Sequence, residues 1–443
     1  MTQEERYKYM TTAPIERIIP KLAVPTIISM LVTSFYNMAD TFFVGRLNTS
    51  AQAGVGVAFS IMAIIQAFGF LFGQGSATYI SRALGKKDMK RAEYMASSGF
   101  FYGLAAGIVL MVLGIVFINP LCRMLGATET SLPYTRDYLR IILIGAPIMT
   151  SSLVLNNQLR FQGNAFYAMV GIVSGAAVNI VLNPILMFGL GLGVVGAGIA
   201  TIIGQTLGFV LLIIGTTKGG TIRIQISKVS FEFYYFDEMF RGGLPSLCRQ
   251  GIASISTIVL NQAAREYSDA AIAGMSIVNR ISFFINAVVI GFGQGFQPVC
   301  GFNYGAAIYD RVKKSFWFCV KVGSVLLLII SVIAFIFAEP IVALFTKGDV
   351  SVIEIGKEAF RFNCLSFTLN AFNIMSNMML QSAGKAVSAS ILSLARQGLF
   401  LIPLIFMFSP VLGLIGIEIA QPISDLLSFL LSIPLVVIFL KEI

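Results

Sequence analysis

Residues 22–47 read LAVPTIISMLVTSFYNMADTFFVGRL, an apolar stretch between Lys21 and Arg46 that carries an acidic residue, Asp40. A helix needs about 20 mainly apolar residues to cross the hydrocarbon of a bilayer. This stretch is long enough and therefore predicts a membrane-spanning helix. Asp40 is then a carboxylate inside the membrane, an unfavourable position that needs a physical explanation.

The composition of the whole chain agrees with this reading. The 443 residues are 56% hydrophobic and 12% charged, whereas soluble proteins carry about 25% charged residues. The net charge of +10 does not indicate nucleic acid, because the basic residues fall mainly in loops between apolar segments. The chain has no histidine, and its five cysteines show no metal-ligand spacing, so we expect no cofactor and no resident metal.

Twelve segments have the length and composition of membrane spans. They cover approximately residues 18–44, 52–81, 92–118, 135–160, 167–188, 195–215, 239–265, 271–300, 312–337, 353–382, 386–408 and 412–440. If the N-terminus is cytoplasmic, most basic residues, Arg160 among them, fall on the cytoplasmic side, as the positive-inside rule requires. An even number of spans then predicts that both termini are cytoplasmic.

The sequence also repeats itself at an offset of 220 positions. Gly73–Gln74–Gly75 coincides with Gly293–Gln294–Gly295, and Pro120 coincides with Pro340. Each copy holds six spans, so the copies share one orientation, an arrangement typical of transporters whose halves rock about a site at their interface. We predict an all-α polytopic membrane protein with 12 transmembrane helices in two six-helix bundles, related by a pseudo-two-fold axis along the membrane normal. The predicted units are an N-terminal lobe, a cytoplasmic linker and a C-terminal lobe, at residues 1–215, 216–238 and 239–443.

Other polar residues are predicted at a depth in the membrane similar to that of Asp40. A charge in the hydrocarbon costs about 2.5 kcal/mol or more, so its presence indicates function. Asn179 and Asn183 share one face of the fifth span, four residues apart, and Thr201 lies in the sixth. Oxygen ligands around one carboxylate predict a small-cation site, either for Na⁺ or for a proton on Asp40. The alternatives are that Asp40 is merely hydrated and that each Asn serves helix packing.

The second copy does not repeat this group. The positions 220 residues beyond Asp40, Asn179 and Asn183 are Leu260, Leu399 and Pro403. We therefore expect the coupling ion to bind in the first half alone.

Arginines inside spans are the main polar feature of the second half. Arg249 and Arg280 are candidates for lining a central substrate pocket. Internal ion pairing is the alternative for such residues, for example between Arg396 and Asp425.

Further candidates lie in the first half. Tyr36 and Asn37 precede Asp40 in the opening stretch, and Asn156 and Asn157 lie at the end of the fourth span, where they either face the pocket or cap the helix. Pro25 lies on the span that carries Asp40, where it forms either a conformational hinge or a static kink.

Four motifs make the chain resemble the MATE (multidrug and toxic compound extrusion) family, most closely its MepA-like bacterial branch, with DinF-type members as near relatives. They are YNMADTFFVGRL at 36–47, FGFLFGQGSATYISRALGKKD at 68–88, LNNQLRFQGNA at 155–165 and VNIVLNPILMFGLGLGVVGAGIATIIGQ at 178–205. The resemblance implies a bacterial inner-membrane antiporter that exports organic cations and amphipathic drugs in exchange for H⁺ or Na⁺. Small-molecule drugs and membrane lipid are then the expected partners, and a monomer is the expected state.

The resemblance also implies residue roles. Asp40, Asn179 and Thr201 match the ion site of the family's first lobe. Many members carry a second acidic residue one turn after the Asn, and this chain has Asn183 there. A single carboxylate weakens the case for Na⁺ and favours H⁺. The acidic residues that NorM-type members carry in the seventh and tenth helices are absent, so an ion site in the second lobe is not expected.

Three other classes compete with a drug exporter: a lipid-linked precursor flippase, an integral membrane enzyme and a channel. A lipid-linked precursor flippase shares the broader architecture, but should show a strongly cationic central cavity and often carries extra helices. An integral membrane enzyme needs paired acids or histidines at a membrane face, and the sequence offers no histidine and no DxxD or DxxxD pair.

Overall fold

A computed structural model describes residues 2–218, 222–346 and 349–443, with only the backbone of Thr49 and Asp269. Within these ranges the chain forms sixteen α-helices and no strand. They are α1 Gln3–Thr12, α2 Ile15–Gly45, α3 Thr49–Gly85, α4 Met89–Val116, α5 Ile118–Met124, α6 Leu132–Phe161, α7 Ala165–Pro184, α8 Gly193–Thr217, α9 Phe233–Arg265, α10 Asp269–Gly305, α11 Tyr309–Ile336, α12 Ala338–Ala343, α13 Val350–Ser382, α14 Ala386–Leu394, α15 Leu401–Leu412 and α16 Leu414–Glu442.

Each half contributes six long helical units. In the described ranges, ten units are long and apolar enough to cross a membrane, counting α14 and α15 as one. The other two, α9 and α13, have 33 residues each and are more polar. They occupy equivalent places to α2 and α6 and complete the two sets of six. The predicted twelve-span fold is confirmed.

Helix bounds reproduce the repeat. Helices α3 and α10, and likewise α4 and α11, begin and end 220 residues apart, and the short helices α5 and α12 also correspond. Two π-helical segments fall in equivalent helices. Ile185–Gly189 follows Pro184, whose missing N–H interrupts the helical ladder, and Ala395–Phe400 joins α14 to α15.

Close backbone contacts join the halves and show their pseudo-two-fold relation. A β-carbon on Gly85 would clash with the carbonyl oxygen of Phe302, and one on Gly305 would clash with the carbonyl oxygen of Arg82. A shift of 220 positions turns the first pair into the second. We call the contacts of these four residues the glycine seal.

Both chain termini lie at the same end of the bundle as the glycine seal. Asn303 donates to the carbonyl oxygen of Met10 at 3.1 Å, and Arg311 donates to that of Ala13 at 2.8 Å. Near the other terminus, the Lys313 amine donates to the Ile443 carbonyl at 2.7 Å. We call this the terminal end. At the opposite end the halves separate around a cleft.

Candidate functional site

Asp40 lies inside the first half, within a network of hydrogen bonds. Its side chain is 1% exposed. The Asn183 amide donates to Asp40 Oδ1 at 2.9 Å and to Asn179 Oδ1 at 3.0 Å. The Asn179 amide in turn donates to Thr201 Oγ1 at 3.1 Å. The four residues predicted to form a cation site are therefore brought together, on helices α2, α7 and α8.

The network includes a residue that sequence reasoning missed. The Tyr138 hydroxyl, on α6, donates to Asp40 Oδ2 at 3.4 Å. Tyr138 is fully buried in an apolar cluster with Val44, Ile65 and Ile142. The only sequence signal for Tyr138 is a hydroxyl in a mainly apolar span, and its contact with Asp40 depends on how α6 packs against α2.

The partners of Asp40 are neutral, which decides what the site can do. In the described part of the chain, no lysine or arginine nitrogen lies within 4.0 Å of the carboxylate. A buried carboxylate without a cation carries a large desolvation penalty, which a bound proton or small cation relieves. Among the described residues, the buried oxygen Asn183 Oδ1 has no hydrogen-bond partner, so it is available to a small cation or to the proton of a neutral carboxyl group.

The described residues offer no cluster of the side chains that usually hold a metal ion. Within the described residues there is no group of three or more His, Cys, Asp or Glu side chains that would hold a metal ion. In the second half, Leu260 is buried among apolar side chains of α9, α10 and α13. In the described residues, the position equivalent to Asp40 therefore lies in an apolar cluster instead of a polar network.

The candidates near Asp40 on α2 separate into two environments. Tyr36 is buried, with 8% exposure, whereas Asn37 lines the cleft between the halves. Pro25 lies in the interior of α2, which continues through it as one helix. Next to it, Thr26 Oγ1 donates to the Gly291 carbonyl of α10 at 2.6 Å, so this segment is attached to the second half.

The asparagines at the end of α6 hold backbone and side-chain partners. The Asn156 amide donates to the Ala168 carbonyl at 2.9 Å, and the Asn157 amide donates to the Leu153 carbonyl at 2.7 Å. Neither residue lines the cleft or the cavity described below. Arg160, which the sequence places at the cytoplasmic end of the fourth span, is 2% exposed at the end of α6 and donates to Asn157 and Gln294.

The second half contains a cavity of about 310 Å³ among α9, α10, α13, α14 and α16. Arg249 and Arg396 both line it. Arg396 Nε donates to Asp425 Oδ1 at 2.6 Å, so the ion pair suggested by the sequence is present. Asp425 is 1% exposed and also accepts from Ser366 Oγ at 2.7 Å.

A cleft of about 710 Å³ separates the halves at the end opposite to the termini. Asn37 and Arg46 line it from α2, and Arg280 lines it from α10. Two residues of α10, Asn279 and Phe283, line both this cleft and the cavity of the second half. The two spaces are therefore neighbours on either side of these residues, with Arg249 on the cavity and Arg280 on the cleft.

Two six-helix halves around a cleft, with a buried carboxylate beside it, define a polytopic membrane transporter. The MatE family profile matches residues 25–185 and 245–407, one copy in each half. The chain belongs to the MatE family, and it is a transporter, not an enzyme.

Curated relatives cover nearly the whole chain. It is 28% identical over 417 residues to the multidrug export protein MepA of Staphylococcus haemolyticus, covering 94% of this chain and 92% of that protein. It is 27% identical over 444 residues to the protein of the same name from Staphylococcus aureus strain MRSA252, covering 99% and 97%.

Solved structures share the fold over the same length. A multidrug resistance MATE family transporter of the MOP superfamily in an outward-facing conformation matches with a TM-score of 0.91 and 26% identity, covering 98% of each chain. A MATE protein in complex with MaL6 matches with a TM-score of 0.93 and 25% identity, covering 99% of each chain.

Proposed function

We propose that this protein is a proton-coupled multidrug exporter, with Asp40 as the residue that binds the coupling proton. The observation that carries the proposal is the burial of Asp40 among neutral partners, Asn183 and Tyr138. The names of the curated relatives support drug export. The expected substrates are organic cations and other amphipathic drugs.

A proton suits the site better than Na⁺. The network supplies a single carboxylate, and the amide nitrogen of Asn183 points at Asp40 Oδ1. Protonation neutralises the carboxylate without displacing either residue. The alternative, Na⁺ coupling, uses the same group of Asp40, Asn179, Asn183 and Thr201, with the unpartnered Asn183 Oδ1 as a further ligand.

Alternating access supplies the transport cycle. The terminal end is closed by the glycine seal, and the opposite end is open at the cleft. The positive-inside rule places the terminal end in the cytoplasm of a bacterium, so this state faces outward across the inner membrane. Pro25 is the proposed hinge, because its missing N–H weakens α2 directly beside Thr26, whose hydroxyl attaches the helix to Gly291 of the second half. A proton reaching Asp40 from outside would favour the reverse, inward-open state.

The test uses purified protein in liposomes, with ethidium as the organic cation. An imposed pH gradient without Na⁺ should drive ethidium movement, and Asp40→Asn should abolish it. Asp137→Asn is the matched control, because Asp137 is a half-exposed acidic residue at the start of α6. Gradient-driven movement that survives Asp40→Asn would overturn the role of Asp40. Movement that appears only with a Na⁺ gradient would establish the Na⁺ alternative.

A further inference from the structure

The cavity of the second half has an unbalanced positive charge. Among the described residues that line it, none is Asp or Glu. The charge of Arg396 is neutralised by its ion pair with Asp425 at 2.6 Å. Arg249 has no carboxylate within 4.0 Å in the described ranges, and its guanidinium donates only to Asn377 and Ser246, both at 3.5 Å.

The neighbouring cleft between the halves is also lined by positively charged side chains. Arg46 and Arg280 line the cleft, and the described residues that line it include no acidic side chain. Arg160 is buried at the interface of the halves, where its guanidinium donates to Gln294 of α10 and to Asn157. Its Nε is buried without a partner. Among the described lining residues of the two spaces, a ligand therefore meets Arg249, Arg46 and Arg280 and no acidic side chain.

The lining also offers unpaired hydrogen-bonding groups beside apolar surface. Asn286, Asn363 and Ser428 are 6%, 4% and 3% exposed, and each has a side-chain oxygen without a partner in the part of the chain that the structure describes. Phe283 and Phe367 supply aromatic surface on the same cavity. The volume of about 310 Å³ falls at the lower end of the range of small-molecule sites, about 300–1,000 Å³.

We propose that this cavity binds amphipathic molecules through an anionic group, a carboxylate or phosphate, which pairs with the guanidinium of Arg249. Guanidinium groups recognise these anions through paired, charge-assisted hydrogen bonds. The apolar part of the ligand lies against Phe283 and Phe367. Arg280 and Arg46 attract the anion into the cleft, and Asn286 and Ser428 complete the polar lining.

This inference narrows the substrate class of the proposed exporter and rests on that function only for the direction of transport. Among the expected amphipathic drugs, an anionic or zwitterionic molecule should bind this cavity more tightly than an analogue whose only charge is positive. Equilibrium binding tests the inference without any ion gradient. A failure of proton coupling and a failure of anion binding are therefore separate results.

The experiment compares rhodamine B, which carries a free carboxylate, with its ethyl ester, in which the carboxylate is blocked. Fluorescence anisotropy of each dye is titrated with purified full-length protein in detergent. We expect rhodamine B to bind more tightly than the ester. Arg249→Gln should raise the Kd for rhodamine B about 30-fold or more, as expected when a buried charge pair loses one partner. The Kd for the ester should stay within about threefold.

Matched variants separate a local effect from a general one. Arg123→Gln removes the same charge from an exposed side chain outside the cavity and should leave both Kd values unchanged. Arg249→Lys keeps the charge and should bind rhodamine B with intermediate affinity. If Arg249→Gln does not fold, Arg280→Gln replaces it, because Arg280 is exposed in the cleft. Equal affinity for the two dyes, or equal weakening of both by the cavity variants, would overturn the proposal.

The source of the anion is distinguished by repeating the titration in nanodiscs. If phosphatidylglycerol, compared with phosphatidylcholine, weakens rhodamine B binding to the wild type but not to Arg249→Gln, a lipid headgroup competes for the site. If it has no such effect while the dye selectivity persists, the ligand is a soluble amphiphile. Both results support recognition of an anionic group at Arg249.

Discussion

The glycine seal offers a direct way to shift the conformational equilibrium. We predict that Gly85→Ala and Gly305→Ala each favour opening of the terminal end. The added methyl group meets a backbone carbonyl, of Phe302 or Arg82, which cannot rotate away as a flexible side chain would. Because the pseudo-two-fold relation exchanges the two contacts, the two variants should have similar effects.

The size of the shift follows from the cost of overpacking. Forcing a methyl group into a closely packed contact costs about 1–3 kcal/mol. This cost applies when the seal is closed and is relieved when the halves separate there. Since about 1.4 kcal/mol is a tenfold change in an equilibrium constant, the ratio of the two states should change about 5- to 150-fold.

Pulsed electron paramagnetic resonance between spin labels measures that ratio. The labels are placed by Phe42→Cys on α2 and Phe284→Cys on α10, on the two sides of the cleft. Cys248→Ser completes the background, because the other four cysteines are buried. The fraction of long distances across the cleft should fall in both glycine variants.

Gly56→Ala is the matched control. Gly56 lies on the same helix as Gly85, and nothing lies within 4 Å of a β-carbon placed on it. This variant should leave the distance distribution unchanged. An unchanged distribution in Gly85→Ala and Gly305→Ala, or an equal change in Gly56→Ala, would refute the reasoning.

Three further predictions concern single side chains. Pro25→Ala should raise the Tm, because a proline in a helix interior costs about 3 kcal/mol of stability. The same variant should lower pH-driven ethidium transport in liposomes at least about tenfold. Transport at the wild-type rate would contradict the role of Pro25 as a hinge. Asp425→Asn should lower the free energy of unfolding by about 3–5 kcal/mol in chemical denaturation, since it breaks a buried ion pair. Arg241→Gln, which breaks an exposed ion pair, is the control and should lower the free energy of unfolding by less than about 1 kcal/mol. Asn183→Asp places a second carboxylate where the amide nitrogen lies 2.9 Å from Asp40. The two carboxylates would repel each other by about 6 kcal/mol at an effective dielectric constant of 20, so this variant should bind Na⁺ in isothermal titration calorimetry. Binding heats no larger than those of the wild type would exclude a Na⁺ site in the variant.

The twelve spans and the repeat were predictable because each depends on a local property. A run of apolar residues is long enough to cross a bilayer whatever its neighbours are. The helices α1, α5 and α12 and the two π-helical segments were not predicted. They are too short, or too dependent on the surrounding packing, to leave a hydropathy signal.

The polar network was predictable in part for a related reason. Asn179 and Asn183 share a helix face by their spacing, and Asp40 is conspicuous in its span. The contact of Tyr138 with Asp40 depends on the packing of α6 against α2. The burial of Arg160 escaped prediction because a position at the end of a span gives no information about the second half that covers it.

The separation of Asp40 from the cleft and from the cavity has an electrical consequence. Neither Asp40 nor its partner Asn183 lines those spaces, so a drug does not need to replace the charge of the proton. One proton entering against a neutral molecule carries one net charge inward, whereas one proton entering against a monoanion carries two. The membrane potential contributes about 2.3 kcal/mol to the driving force per charge moved for each 100 mV. At the same pH gradient, it would therefore drive the export of an anionic substrate against a steeper concentration gradient than that of a neutral one.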